Sequence, residues 1–169
     1  EGNVMKVTVL GAGSWGTTVA SLVAGTNKAT LWGRDAEQMA EVREQHTNSK
    51  YLDGFTLPES LNGTADLEEA VSGAHVLVVG VPSHGFRSML EAAKPFVHPW
   101  IPIVSLTKGL EADSMMRMTE VIKDVLPGHP AAALSGPNLA KEIMAGQAAA
   151  SVIATEDLQV ASALQAVFQ

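Results

Sequence analysis

Along the chain, short apolar runs alternate with longer stretches in which apolar residues recur at helical spacing. Lys6 to Leu10 (KVTVL) is apolar and β-branched, and Gly11-Ala12-Gly13 breaks it. Thr17 to Ala24 contains no charged residue and reads as a helix buried on most sides. Ala29 to Trp32 is a second short strand, followed by a charged helix from about Asp35 to Glu44. Val76 to Val81 (VLVVGV) is almost wholly apolar, as expected of a strand covered on both faces of a parallel sheet. Ile103 to Leu106 and Ala131 to Leu134 are further strands, each ending in a polar or Gly-containing loop. Helices are expected over Phe86 to Ala93, Ser114 to Val125 and Leu139 to Met144. A last strand near Ser151 to Ala154 leads into a helix from Leu158 to Phe168. Arg43 to Thr64, with Gly54, Pro58 and Gly63, reads as loop with short turns. Repeated strand–helix alternation predicts an α/β doubly wound, mostly parallel sheet with helices on both faces, in one domain over residues 4–169.

Gly11-Ala12-Gly13-Ser14-Trp15-Gly16 matches G-x-G-x-x-G. The pattern alone is weak. Its context, with a strand directly before and a helix directly after, makes it a dinucleotide-binding signature and the fold Rossmann-like. Gly11 permits the tight turn, Gly13 lets backbone approach a pyrophosphate, and Gly16 lets the helix pack closely on the strand. The positive end of the helix dipole then faces the phosphates.

The end of the second strand bears on which dinucleotide binds. An NAD site places an acidic residue about 20 positions past the glycines, on the ribose hydroxyls. Here Leu31-Trp32 runs into Gly33-Arg34-Asp35. The Arg34 guanidinium matches a 2′-phosphate, whereas Asp35 stands where it would cap the next helix. NADP is therefore favoured, with NAD tolerated.

Ligands of such sheets lie beyond the carboxyl ends of the strands. Three later loops leave such ends. In Val81-Pro82-Ser83-His84, Pro82 stops the strand, Ser83 is a candidate helix N-cap and His84 reads as polar surface. In Ser105 to Glu111, Lys108 beside Gly109 is placed either to hold an anionic substrate group or the cofactor, or simply to be a surface lysine. In Ser135-Gly136-Pro137-Asn138, Gly136 admits a ligand, Pro137 stiffens the turn and Asn138 caps a helix or donates to substrate. Lys141 and Glu142 read as solvated charges on the following helix.

Composition narrows the partners. The net charge of −7 argues against nucleic acid or an anionic membrane surface as the main partner. With no cysteine there are no disulfides and no thiolate chemistry, which suits a reducing cytoplasm. The five scattered histidines form no H-x-x-x-H pair, so no metal site is expected. The first residues do not read as a signal peptide, and no apolar run approaches the ~20 residues of a bilayer helix. There is no G-x-S-x-G elbow and no Walker lysine, which excludes hydrolase and P-loop readings.

Six motifs follow one another in a distinctive order: GAGSWGT (11–17), LWGRD (31–35), NSKYL (48–52), VPSH (81–84), TKGLE (107–111) and SGPNLAKE (135–142). In this they resemble NAD(P)-dependent glycerol-3-phosphate dehydrogenase of the bacterial type, over essentially the whole chain. The resemblance implies reversible reduction of dihydroxyacetone phosphate to sn-glycerol 3-phosphate, feeding phospholipid synthesis. It also implies that Ser14, Trp15 and Arg34 bind the nicotinamide cofactor together with Ala140. Lys108 would serve cofactor and substrate, and Gly136 and Asn138 would contact substrate. At position 138 similar sequences often carry Ser or Thr. The family's proton-transferring lysine and an Arg-Asn substrate motif lie in a second, helical domain. This chain stops at Gln169, before that domain, so a cofactor-binding half that does not turn over alone, and a homodimer only at full length, are the expectations.

Two other readings compete. Other dehydrogenases, of the 3-hydroxyacid or ketopantoate type, share the glycine loop but not the combined TKGLE and SGPN signatures. A non-catalytic NAD(P) sensor is the second.

Overall fold

A computed structural model describes residues 4–135, 140–146 and 152–169. Seven strands form one sheet: β1 (Lys6–Leu10), β2 (Lys28–Trp32), β3 (Asn62–Thr64), β4 (Val76–Val79), β5 (Ile103–Ser105), β6 (Ala131–Ser135) and β7 (Val152–Thr155). Their order across the sheet is β3-β2-β1-β4-β5-β6-β7. Every neighbouring pair is parallel except β6–β7. The helices are α1 (Ser14–Val23), α2 (Ala36–Ala40), α3 (Leu67–Val71), α4 (Ser83–Ala93), α5 (Met118–Val125), α6 (Ala140–Met144) and α7 (Leu158–Phe168). The doubly wound expectation holds.

Alternate side chains of the central strands feed two separate cores, because successive Cβ atoms of a strand leave opposite faces. Val7, Val9, Val76, Val78 and Val104 pack with α1, Met39, Leu164 and Val167 on one face. Leu10, Leu77, Val79 and Ile103 pack with Phe86, Leu90, Val121 and Ile122 on the other. This double burial explains why VLVV reads as unbroken apolar sequence. The one polar residue in the middle of β1, Thr8, is buried and donates its hydroxyl to the Ala70 carbonyl at 2.5 Å. In α1, the buried hydroxyls of Thr18 and Ser21 donate to the carbonyls of Ser14 and Thr17 one turn earlier, so polar residues lie in the core without unmet hydrogen bonds.

The structure corrects three local expectations and adds one helix. The stretch 43–64 is not all loop: a π-helical turn, Glu41–Gln45, continues α2, and Asn62–Thr64 is the edge strand β3. Gly63 is needed there because a Cβ would lie 2.8 Å from the Met39 carbonyl oxygen, so a residue with little strand preference occupies a strand. Helix α3, capped by Asp66 through the Glu69 N–H, had no prediction. The helix expected from Ser114 begins only at Met118. Residues 110–117 form a turn closed by a Leu110–Arg117 bridge, with the Glu111 N–H donating to Met116 O. Ser83 is the first residue of α4 rather than its cap. Pro82 holds that position and offers no side-chain acceptor.

Candidate functional site

Where the strand order reverses, β1 lies beside β4, and the loops leaving their carboxyl ends part to opposite faces of the sheet. The Gly11–Gly16 segment occupies this point. Gly11 has φ +115° and donates its N–H to Trp32 O at 2.9 Å. A Cβ on Gly11 would stand 2.8 Å from Gly80 O, so the loop passes directly over the end of β4. At Gly16 a Cβ would meet Gly11 O at 2.1 Å, which is the helix-to-strand packing expected of the third glycine. Gly13 differs from both. A Cβ there would meet nothing within 4 Å, so this face of the loop is open.

Gly13 is also the N-cap of α1 and, having no side chain, leaves the helix uncapped. The N–H groups of the first turn have no partner within the helix and carry its partial positive charge. An open surface of backbone N–H groups at the start of a ten-residue helix can receive an anion. Ser14 and Trp15 open that helix half-buried; Trp15 and Ala140 of α6 pack against the same apolar core.

Gly33 carries the end of β2 to the same place. A Cβ on it would come within 2.9 Å of the Ala12 Cβ, so the Gly33-Arg34 turn lies against the glycine loop. Arg34 is exposed and, among the described residues, forms no ion pair. Asp35 is occupied elsewhere, since its carboxylate accepts from the N–H groups of Glu37 (3.0 Å) and Gln38 (3.2 Å), capping α2. Asp35 is thus the helix cap that the sequence indicates, while Arg34 beside it has no ion partner among the described residues.

The loops after β4 and β5 are joined. Thr107 donates its hydroxyl to Val81 O at 2.5 Å, and the Ser105 hydroxyl accepts from the Thr107 N–H at 3.1 Å. Beyond Thr107, Lys108 is exposed and Gly109 turns with φ +96°. Arg87 of α4 clamps the far side of this turn. It donates to both oxygens of Glu111 at 2.9 and 3.0 Å and to Asp124 at 2.6 Å. Arg87, and after it the Ser114 hydroxyl, hold the Glu111 carboxyl below the usual glutamate range. His84 is exposed at the start of α4. Gly136 and Asn138 lie outside the described residues.

Sequence reasoning missed the residues that shape these loops: Arg87, Glu111, Thr107, and the Gln38–Asn48 pair behind Ala12. Three of them sit inside recognised motifs, Thr107 and Glu111 in TKGLE and Asn48 in NSKYL; that was the available signal. A cavity of about 550 Å³ beside Asn48 is no rival site for an anionic ligand. Its ionisable lining groups are Glu41 and Asp53, and Glu41 is held in its charged form by the Thr47 hydroxyl and by the Ser49 N–H and hydroxyl. Among the described residues no three His, Asp or Glu side chains are grouped to hold a metal, and no helix is long and apolar enough to cross a membrane.

The family model for the NAD-dependent glycerol-3-phosphate dehydrogenase N-terminus matches residues 6–161. The chain belongs to this family. A glycerol-3-phosphate dehydrogenase of Sphingopyxis alaskensis, named for NAD(P)+, is 57% identical over 97% of this chain and 49% of its own length. One from Mycobacterium tuberculosis is 48% identical over 97% of this chain and 48% of its own. The crystal structure of glycerol-3-phosphate dehydrogenase from Coxiella burnetii superposes with a TM-score of 0.91 at 31% identity, over 98% of this chain and 51% of that one. The chain therefore spans about half the length of the glycerol-3-phosphate dehydrogenases it matches, and the half it spans is the doubly wound sheet with its glycine loop.

Proposed function

We propose that residues 4–169 are the dinucleotide-binding domain of a glycerol-3-phosphate dehydrogenase, holding NADP or NAD and favouring NADP. The observation that carries this reading is the open face of Gly13 at an uncapped helix start, with exposed Arg34 against the same loop. These groups fit a dinucleotide: backbone N–H donors for a pyrophosphate, a guanidinium for a 2′-phosphate, and no side chain in the way.

When bound, the cofactor would supply a hydride to the carbonyl carbon of dihydroxyacetone phosphate, which together with a proton taken up by the carbonyl oxygen would give sn-glycerol 3-phosphate for phospholipid synthesis. The chain's own residues bind and orient. Gly11, Gly13 and Gly16 shape the loop, and Ser14, Trp15 and Ala140 line the cofactor. Lys108 places a positive charge where the anionic substrate and cofactor meet, and Gly136 and Asn138 contact substrate. No residue of this chain is assigned the proton transfer, so this segment binds nucleotide without turning over by itself. A cytoplasmic location and a homodimer of the longer protein complete the reading.

The test is oxidation of NADPH and NADH, in parallel, by the full protein with dihydroxyacetone phosphate. Substrate-dependent oxidation, faster with NADPH, is the expected result. Nucleotide binding without oxidation would shift the assignment to another dehydrogenase substrate or to a sensor, and a panel of keto acids would separate those two.

A further inference from the structure

Asn48 is fully buried, yet it is a primary amide and heads a motif, NSKYL, that the nucleotide reading leaves without a role. A polar side chain at such a depth is destabilising unless its hydrogen bonds are met. Here all are. The Asn48 Nδ2 group donates to Thr17 Oγ1 at 2.9 Å and to Ala12 O at 3.2 Å. Its Oδ1 accepts from Gln38 Nε2 at 3.1 Å, and the same Gln38 nitrogen donates to Ala12 O at 2.9 Å. Both hydrogens of each amide are used, and two donors converge on one carbonyl. Turning the Asn48 amide over would aim its oxygen at Ala12 O, so the arrangement has one sense only.

That carbonyl belongs to the peptide between Ala12 and Gly13. The peptide is trans, as are all those described. In a trans peptide the C=O and N–H point in opposite directions across a rigid plane. Drawing Ala12 O inward, toward residues 38 and 48, therefore turns the Gly13 N–H outward. It faces the side on which a Gly13 Cβ would meet nothing. Among the described residues this N–H has no acceptor. By its bond to Thr17 the same amide also ties the loop to α1.

We propose that Asn48, seconded by Gln38, is a positioning residue of the nucleotide site: it sets the plane of the Ala12–Gly13 peptide so that the Gly13 N–H meets the pyrophosphate. The inference rests on the nucleotide reading above and adds to it the residue that holds the loop ready. An apolar side chain of similar size fills the same space but leaves the peptide free to turn.

The test is titration of the intact protein with NADH and with NADPH, followed by nucleotide fluorescence, alongside thermal melting without nucleotide. Asn48→Asp keeps the shape of the side chain and turns its donor into an acceptor facing Ala12 O. The variant is expected to melt cooperatively and to bind both nucleotides about tenfold more weakly, the loss that follows from one hydrogen bond to a charged group. The loss should be equal for the two, because they share the pyrophosphate; an effect on the 2′-phosphate would be unequal. A folded Asn48→Asp protein that binds both within about twofold of the parent overturns the proposal. If Asn48→Asp does not fold, the Thr17 pair decides. Thr17→Ser keeps the hydroxyl and should bind as the parent does, while Thr17→Val should bind more weakly. Equal binding by those two overturns the proposal. A parent protein that binds neither nucleotide overturns the underlying nucleotide reading instead.

Discussion

Adding one methyl group to the glycine loop should have opposite consequences at two positions three residues apart. At Gly16 the new Cβ would lie 2.1 Å from Gly11 O, about 1 Å inside the 3.0 Å that real Cβ atoms keep. Both atoms are constrained. Gly11 is held by its N–H to Trp32 O, and α1 is packed on β1 and β2. Either the helix start lifts off the sheet or the Gly11 peptide turns out of its bond. Overpacking of this kind costs about 1–3 kcal/mol, with backbone-to-backbone cases at the upper end. For a chain of this size that is a fall in Tm of roughly 2–4 °C per kcal/mol, hence roughly 2–12 °C for Gly16→Ala. Gly13→Ala meets no atom within 4 Å, and its φ of −75° and ψ of −175° suit alanine. Its fold should be unharmed, because a less flexible unfolded chain offsets the poorer N-cap preference of alanine. The methyl group then stands on the face where backbone must approach the pyrophosphate, and nucleotide affinity should fall by about tenfold or more. Thermal melts and nucleotide titrations of the two variants in parallel check this. A Gly16→Ala protein as stable as the parent, or a Gly13→Ala protein that binds as tightly, refutes the reasoning for that position.

Arg34→Ala should weaken NADPH by roughly 10- to 100-fold, the worth of a charge-assisted contact, and leave NADH nearly unchanged; equal losses in parallel titrations would remove the 2′-phosphate assignment. Lys108→Ala should leave the melting temperature unchanged, since the side chain is exposed, and raise KM for dihydroxyacetone phosphate in the full protein; an unchanged KM would return Lys108 to ordinary surface. The Arg87–Glu111 pair sets a pH dependence of stability. The Glu111 carboxyl is held below its ordinary value of 4.5, chiefly by Arg87, so the pair's contribution is complete above that value and disappears as pH falls through the lowered one. The difference in Tm between the parent and Glu111→Gln should be constant above about pH 5 and shrink in stronger acid; a difference that persists undiminished to about pH 3 would show that the charge is not its source.

The strands that were easiest to read are those buried on both faces. β1 and β4 carry β-branched residues into two cores at once, so their apolar runs have a single explanation. The glycine loop was legible for a similar reason, as each glycine answers a separate geometric demand. Legibility failed where a backbone arrangement depends on partners far along the chain. Asn62-Gly63-Thr64 has no strand character of its own and becomes a strand because β2 lies open beside it. Ser114 to Arg117 is helical by spacing, yet Arg87, from another helix, holds Glu111 in place and the Ser114 hydroxyl turns back onto that carboxylate. Asn48 and Gln38 carry no assigned role in the sequence because nothing in their neighbourhood announces a carbonyl 36 and 26 residues earlier.

Those distant partners have one property in common. The bonds from Gln38 and Asn48 to Ala12 close within the part of the chain that makes β1 to β3, and those from Thr107 to Val81 and from Arg87 to Glu111 close within the part that makes β4 to β6. None of these four braces crosses from one part to the other. At the carboxyl end of the sheet the loops thus form two separately braced groups, with their seam at the boundary between β1 and β4. Among the described residues, what spans the seam is the sheet below, the close approach of Gly11 to Gly80, the packing of α1 against α6 and α7, and whatever is gripped between the loops.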